Sequence, residues 1–144
     1  MRSPNVRILA VSGSETDQVE LGRILSRLRW RADRAYSRAE AIRMLRQAAV
    51  PVIVCDRDLP DGTWQDVLRE SALERNPPSV IVISTNGNDA RLWSEVVNLG
   101  GYEVLAKPFD LREVFHSISM GWRRWQQAER PVRPKNITSA VATA

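Results

Sequence analysis

The sequence predicts an α/β fold of the three-layer, doubly wound (βα)5 kind, a parallel sheet with helices on both faces. Three observations carry that expectation. Five strand-like runs alternate with five stretches of helical periodicity, the links between them are short, and two of the runs, Val52-Ile53-Val54-Cys55 and Val80-Ile81-Val82-Ile83, are apolar at every position. Alternating units with short links give parallel strands crossed over by helices. A continuous apolar run rich in β-branched residues suits a strand covered on both faces.

Taken in order, residues 6–11 form a first strand that Ser12-Gly13-Ser14 breaks. Ser14, with Asp17 three residues on, caps a helix whose Val19, Leu21, Ile24, Leu25 and Leu28 make an apolar stripe, and Arg27, Arg29 and Arg31 favour its C-terminus. Residues 31–36 are poor in apolar side chains and so read as an edge strand. Ser37 caps a second helix with Ala41, Ile42 and Leu45 inward. The central strand 52–56 stops at Asp56, and Leu59-Pro60-Asp61-Gly62 is turn chemistry. A third helix over 64–74 is stopped by Asn76-Pro77-Pro78. Strand 79–84 ends in Ser84, and Thr85-Asn86-Gly87-Asn88 leads to a helix over 89–99 that Gly100-Gly101 ends. Strand 102–106 stops at Lys107-Pro108-Phe109, after which Asp110 and Glu113 open a last helix with Leu111, Val114, Phe115, Ile118, Trp122 and Trp125 at helical spacing. The expected domain covers residues 1–125. Residues 126–144, with two prolines and a small polar end, read as a disordered tail.

Composition narrows the function classes. At 144 residues, 43% hydrophobic and 26% charged, the chain is an ordinary globular domain, and no segment approaches the roughly 20 apolar residues of a membrane span. A cytoplasmic location is expected. One cysteine and one histidine argue against a disulfide or a Cys/His zinc site, and Cys55 reads as a buried core thiol. The net charge of +4 is spread, with Arg130, Arg133 and Lys135 against Glu129 contributing half, so a nucleic-acid partner is not expected. Only Lys107 and Lys135 among the 21 basic residues are Lys.

Three strands end in functional groups: Asp56, Ser84 and Lys107. An Asp closing a buried strand lies where open α/β sheets hold ligands. It equally suits a cap for the next turn. The three together carry the signal. Their order, with Asp56-x-x-Leu59-Pro60-x-Gly62 and Lys107-Pro108-Phe109, resembles the receiver domain of two-component response regulators over about residues 5–125. The resemblance implies a flavodoxin/CheY-like sheet ordered 2-1-3-4-5, with Asp56 as phosphoacceptor from a histidine kinase and a cis Lys107-Pro108 bond. It also implies signalling through the face built by the fourth helix, fifth strand and fifth helix. A carboxylate that attacks a phosphoryl donor forms an acyl phosphate and needs cationic help, which Lys107 supplies, while the Ser84 hydroxyl follows the phosphoryl group.

The chain departs from that pattern twice. Where such domains carry an acidic pair that holds Mg²⁺, it has Ser12 and Gly13, and Glu15 and Asp17 nearby read as first-turn helix residues. Where the aromatic switch residue is usual it has Val104, with Tyr102 two residues earlier on what reads as the same strand face. Only Asp56 and the Asp58 carbonyl remain for Mg²⁺, so weak binding or none is expected. With no metal, Lys107 is expected to pair with Asp56 and depress its pKa. Arg57 is a candidate replacement cation, and His116, inside the last helix, reads as structural.

The expectation is therefore a non-enzymatic, stand-alone receiver-like domain, at most catalysing its own phosphorylation at Asp56 and acting by docking another protein. The alternative is a pseudo-receiver that works as a phosphorylation-independent interaction module. Flavin or nucleotide binding lacks a Gly-rich phosphate loop. Trp93, Trp122 and Trp125 suggest an apolar docking or homodimer face, rimmed by Arg91 and Glu95.

Overall fold

The computed structural model describes residues 6–85, 87 and 89–129. Its elements are β1 (Arg7–Val11), α1 (Glu15–Arg27), β2 (Arg31–Ala35), α2 (Arg38–Gln47), β3 (Val52–Asp56), α3 (Trp64–Ser71), β4 (Ser79–Ser84), α4 (Ala90–Asn98), β5 (Glu103–Ala106) and α5 (Leu111–Glu129). The five strands form one parallel sheet in the order β2-β1-β3-β4-β5. Two short strands, Asp58–Leu59 and Gly62–Thr63, pair antiparallel around Pro60 and Asp61.

Alternation along the strands sorts the core into two layers. Leu9, Val11, Ile53, Cys55, Val80 and Val82 pack with Ala41, Leu45, Trp64, Val67, Leu92 and Val96 from α2, α3 and α4. On the other face Ile8, Ala10, Val54, Ile81, Ile83 and Leu105 meet Leu21 and Leu25 of α1 and Val114 and Ile118 of α5. β2 lies at the edge, as its charged composition predicts, and all five residues of β3 are buried.

The helix caps follow the sequence. Ser14 accepts from the Asp17 N–H, Ser37 from the Glu40 N–H, and Asp110 from the Glu113 N–H. Thr63 and Asp66 form a reciprocal capping box on α3. The helical part of the chain does not end at Trp125. α5 runs on through Glu129, because Gln126-Gln127-Ala128-Glu129 are good helix formers and Trp125 anchors the turn before them by donating its indole N–H to the Asn76 carbonyl at 3.3 Å. The rest of the expected tail, 130–144, lies outside the described residues. No described helix is long and apolar enough to cross a membrane.

Candidate functional site

The carboxyl edge of the sheet carries the chemistry. Asp56 closes β3, Ser84 closes β4, and Lys107 follows β5 at a cis peptide bond to Pro108. Parallel pairing aligns Asp56 with Ile83 and Ser84 with Ala106, so the three groups stand on neighbouring strand ends. Asp56 and Lys107 are each bonded to a residue outside the three.

Asp56 is 9% exposed and its Oδ2 accepts a 2.6 Å hydrogen bond from the Ser12 hydroxyl. Ser12 stands just past the end of β1, where its N–H donates to the Ala35 carbonyl and its Oγ accepts from the Ser14 N–H at 3.0 Å. Gln18 holds this loop from beneath. Its buried Nε2 lies 3.0–3.1 Å from the carbonyls of Ala10, Ser12 and Ala35. The Ser84 hydroxyl donates to the Gly87 carbonyl at 3.0 Å, within its own loop.

Lys107 does not pair with Asp56. Its ammonium donates to Asp17 Oδ2 at 2.8 Å, and the two side chains are 24% and 12% exposed. Asp17 is therefore more than a first-turn helix residue. It is buried on the face of α1 that carries Leu21 and Leu25, which aims its carboxylate at the sheet edge.

The Asp56 carboxyl is accordingly pushed above its ordinary value, against the depression that a direct Lys107 pair predicts. Burial is the main cause, and the charges of Asp17 and Asp58 add to it, against the opposing Ser12 hydrogen bond and the Lys107 charge. Burial and the Asp56 charge likewise push the Cys55 thiol up, and Cys55 is a core residue.

Several other expectations change with the geometry. Arg57 approaches the Asp58 carboxylate at 3.7 Å. Tyr102 precedes β5 and packs in the α1/α5 layer with Arg124 5.2 Å from its ring centre, whereas Val104 packs in the opposite layer, so the two do not share a face. His116 is exposed, and with Trp93 and Val104 it lines a groove between α4, β5 and α5. Of the three tryptophans only Trp93 opens onto that groove, at 49% exposure and with its indole N–H donating to Glu103. Trp122 packs into the α1/α5 layer and Trp125 against the loop after α3, since each faces the domain rather than α4. Arg91 and Glu95 line the cleft between α3 and α4, where Gln65 donates to Glu95 at 2.6 Å.

Mg²⁺, which the fold type implies, does not fit the residues present. Among the described residues no three His, Cys, Asp or Glu side chains come together as ligands. Asp17 is held by Lys107, and the side chain of Asp58 is 77% exposed beside Arg57. Nor is there space for an acid at position 13, where a Cβ would stand 2.9 Å from two ring carbons of Pro60.

Sequence reading missed Asp17, Ser12 and Gln18 as site residues. A signal existed for two of them. Asp17 with Leu21 and Leu25, and Gln18 with Leu21 and Leu25, fall at i, i+4, i+8 and i, i+3, i+7, which puts polar groups on an inward stripe. For Ser12 there was only its position after β1.

The family model described as the response regulator receiver domain matches residues 8–119. Among curated proteins no match is found. The signal receiver domain of a LuxO repressor protein from Vibrio parahaemolyticus is similar at 21% identity and a TM-score of 0.77, covering 86% of this chain and 95% of that one. The receiver domain of Ssk1, crystallised with the histidine phosphotransfer protein Ypd1 from Saccharomyces cerevisiae, is 18% identical at a TM-score of 0.74 and covers 85% and 92%. The beryllofluoride-activated NtrC4 receiver domain dimer is 27% identical at a TM-score of 0.71 and covers 83% and 98%.

Proposed function

This chain belongs to the response regulator receiver domain family, and from that premise we propose that Asp56 is its phosphoacceptor and that it signals by docking another protein. The observation that carries the reading is the set of three strand ends, with Asp56, Ser84 and Lys107 on adjacent strands of one edge. The donor is a histidine kinase or phosphotransfer protein, or a small acyl phosphate. An Asp56 oxygen bonds to phosphorus as the bond to the donor breaks, its electron pair leaving with the imidazole nitrogen of a phosphohistidine or with the carboxylate oxygen of an acyl phosphate, and Ser84 and Lys107 then serve the new phosphoryl oxygens. Because the residues present do not fit Mg²⁺, this chemistry runs without a dedicated ion, slowly. The output surface is the groove between α4, β5 and α5, where Trp93 is open to a partner or a second copy, and the protein works in the cytoplasm. Incubation with acetyl phosphate, with and without Mg²⁺, tests the reading. A mass gain of one phosphoryl group, lost in Asp56→Asn, supports it.

A second reading is a pseudo-receiver that docks without phosphorylation. Three observations favour it: Ser12 bonded to Asp56, Lys107 held by Asp17, and Val104 at the place of the aromatic switch. No labelling under any condition, with partner binding indifferent to Asp56→Asn, selects it over the first.

A further inference from the structure

We propose that Asp17 is the positioning residue of this site: it holds the Lys107 ammonium at rest and must release it before a phosphoryl group on Asp56 can be stabilised. The hold is a 2.8 Å contact between two largely buried side chains, 90 residues apart in the chain. Such a contact fixes where the only lysine among the described residues points. Asp17 is itself fixed. It lies in the first turn of α1, its N–H donates to Ser14 Oγ at 3.2 Å, and the next residue is Gln18, whose amide reaches the three carbonyls that close β1 and β2.

The same scaffold places Ser12 on Asp56. One short segment, residues 12–18, therefore sets both the hydroxyl on the acceptor and the counter-ion of the lysine. The ammonium has three N–H donors, but its 2.8 Å bond to Asp17 holds it where it makes no ion pair with Asp56, so the Asp17 carboxylate and the phosphoryl oxygens draw it toward different positions and compete for it. In the phosphorylation step Lys107 leaves Asp17 and moves to the oxygens of the phosphoryl group, while Asp56 forms the O–P bond and the donor's acyl group departs as a carboxylate. Asp17 thereby sets the threshold for the reaction. The consequence for phosphorylation rests on Asp56 being the acceptor, but the hold does not.

The test reads the two apart. Folded full-length protein is treated with limiting acetic anhydride and mapped by peptide mass, with Lys135, the other lysine, as internal reference. Asp17→Asn removes the charge and keeps the shape, so Lys107 acylation relative to Lys135 should rise by about 2- to 10-fold, the range of a partly buried ion pair. Asp17→Glu, which keeps the charge on a longer stem, should restore most of the protection. In parallel, acetyl phosphate should label Asp56 faster in Asp17→Asn than in the parent. An unchanged Lys107 ratio in folded Asp17→Asn overturns the hold, and slower labelling than the parent overturns the threshold. A raised ratio with no labelling in either protein upholds the hold and removes Asp56 as acceptor. If Asp17→Asn does not fold, Asp17→Ser, a side chain suited to a first helical turn, carries the same comparison.

Discussion

Replacing Asp56 by Asn should stabilise the protein near neutral pH, although it removes the residue on which the site centres. Asn keeps the shape and an oxygen to accept the Ser12 hydroxyl, and removes a charge that is 9% exposed and faces the charges of Asp17 and Asp58. Lost with it are the charge-assisted part of the Ser12 bond and the pull of Lys107. The Asp56 pKa is raised on balance, so the folded state disfavours the ionised form. The sign follows by linkage. A carboxyl with a folded pKa above its unfolded value near 3.8 binds its proton more tightly when folded, so its ionisation removes stability as pH rises from the unfolded pKa through the folded one. Below both values the parent and Asp56→Asn should melt alike, and above both the variant should be ahead. The gain is on the order of 1 kcal/mol, as for relief of an unfavourable functional group, or about 3–5 °C in Tm for a domain of this size. Melts followed by circular dichroism at about pH 3, below both values, and at about pH 8 read the difference. A variant that melts no higher than the parent at the upper pH, or a gap equal at both, refutes the reasoning.

Lys107→Met should lower stability by roughly 1–3 kcal/mol, since it strands the largely buried Asp17 carboxylate, and adding Asp17→Asn should recover most of the loss in a denaturant titration. Asp61 accepts the N–H groups of Arg38 at 2.7 Å and Ala39 at 3.0 Å, and those bonds, Arg38 first, hold its carboxyl below the usual range. Its contribution is thus present above the unfolded pKa and lost as pH falls through the folded one, so Asp61→Ala should speed amide exchange at Arg38 and Ala39 near neutral pH, and the parent should approach the variant in acid. Trp93→Ala should leave Tm almost unchanged while abolishing any self-association seen by light scattering, because the side chain is 49% exposed. Trp125→Ala should instead cost about 2–3 kcal/mol in thermal or urea melts, as it empties the seam between α5 and the loop after α3.

The fold was legible because each element announced itself in more than one way. β3 and β4 were apolar without alternation, Ser14, Ser37 and Asp110 marked helix starts, and Leu59-Pro60-Asp61-Gly62 announced the turn that the structure closes with a short hairpin. Strand ends were equally plain, so Asp56, Ser84 and Lys107 could be placed on one edge. What could not be read was which groups touch. Lys107 has Asp56 and Asp17 within its range, and the choice depends on how far α1 leans over the edge, a tertiary quantity. Tyr102 and Val104 separate by layer because β5 begins at Glu103, one residue later than the apolar pattern indicates. Trp122 and Trp125 looked like surface because sequence shows their size and not the loop that covers them.

The unusual first loop is a coupled arrangement and not a simple loss of acids. Gly13 packs against the ring of Pro60, so the loop after β1 and the turn after β3 meet with no room for a side chain between them. That closeness also sets Ser12 within 2.6 Å of Asp56, where a second carboxylate would face the first across one hydrogen-bond length. With Ser12 and Gly13 supplying no carboxylate, the counter-charge for Lys107 comes from the helix, at Asp17. Counting Asp56 and Asp17 against Lys107 leaves the edge at −1 when Asp56 is ionised, where Asp56 and Lys107 alone would sum to zero. The extra charge does not make an ion site, because Asp17 is bonded to the lysine and Asp56 to the serine. It adds to the burial that pushes the Asp56 carboxyl above its ordinary value. On the reading that Asp56 is the acceptor, a pocket built this way opposes phosphorylation from two sides, with the Asp56 oxygen bonded to Ser12 and the lysine engaged by Asp17. A phosphodonor protein that loosens the first turn of α1 as it docks would relieve both together, since Ser12, Asp17 and Gln18 lie in one seven-residue segment.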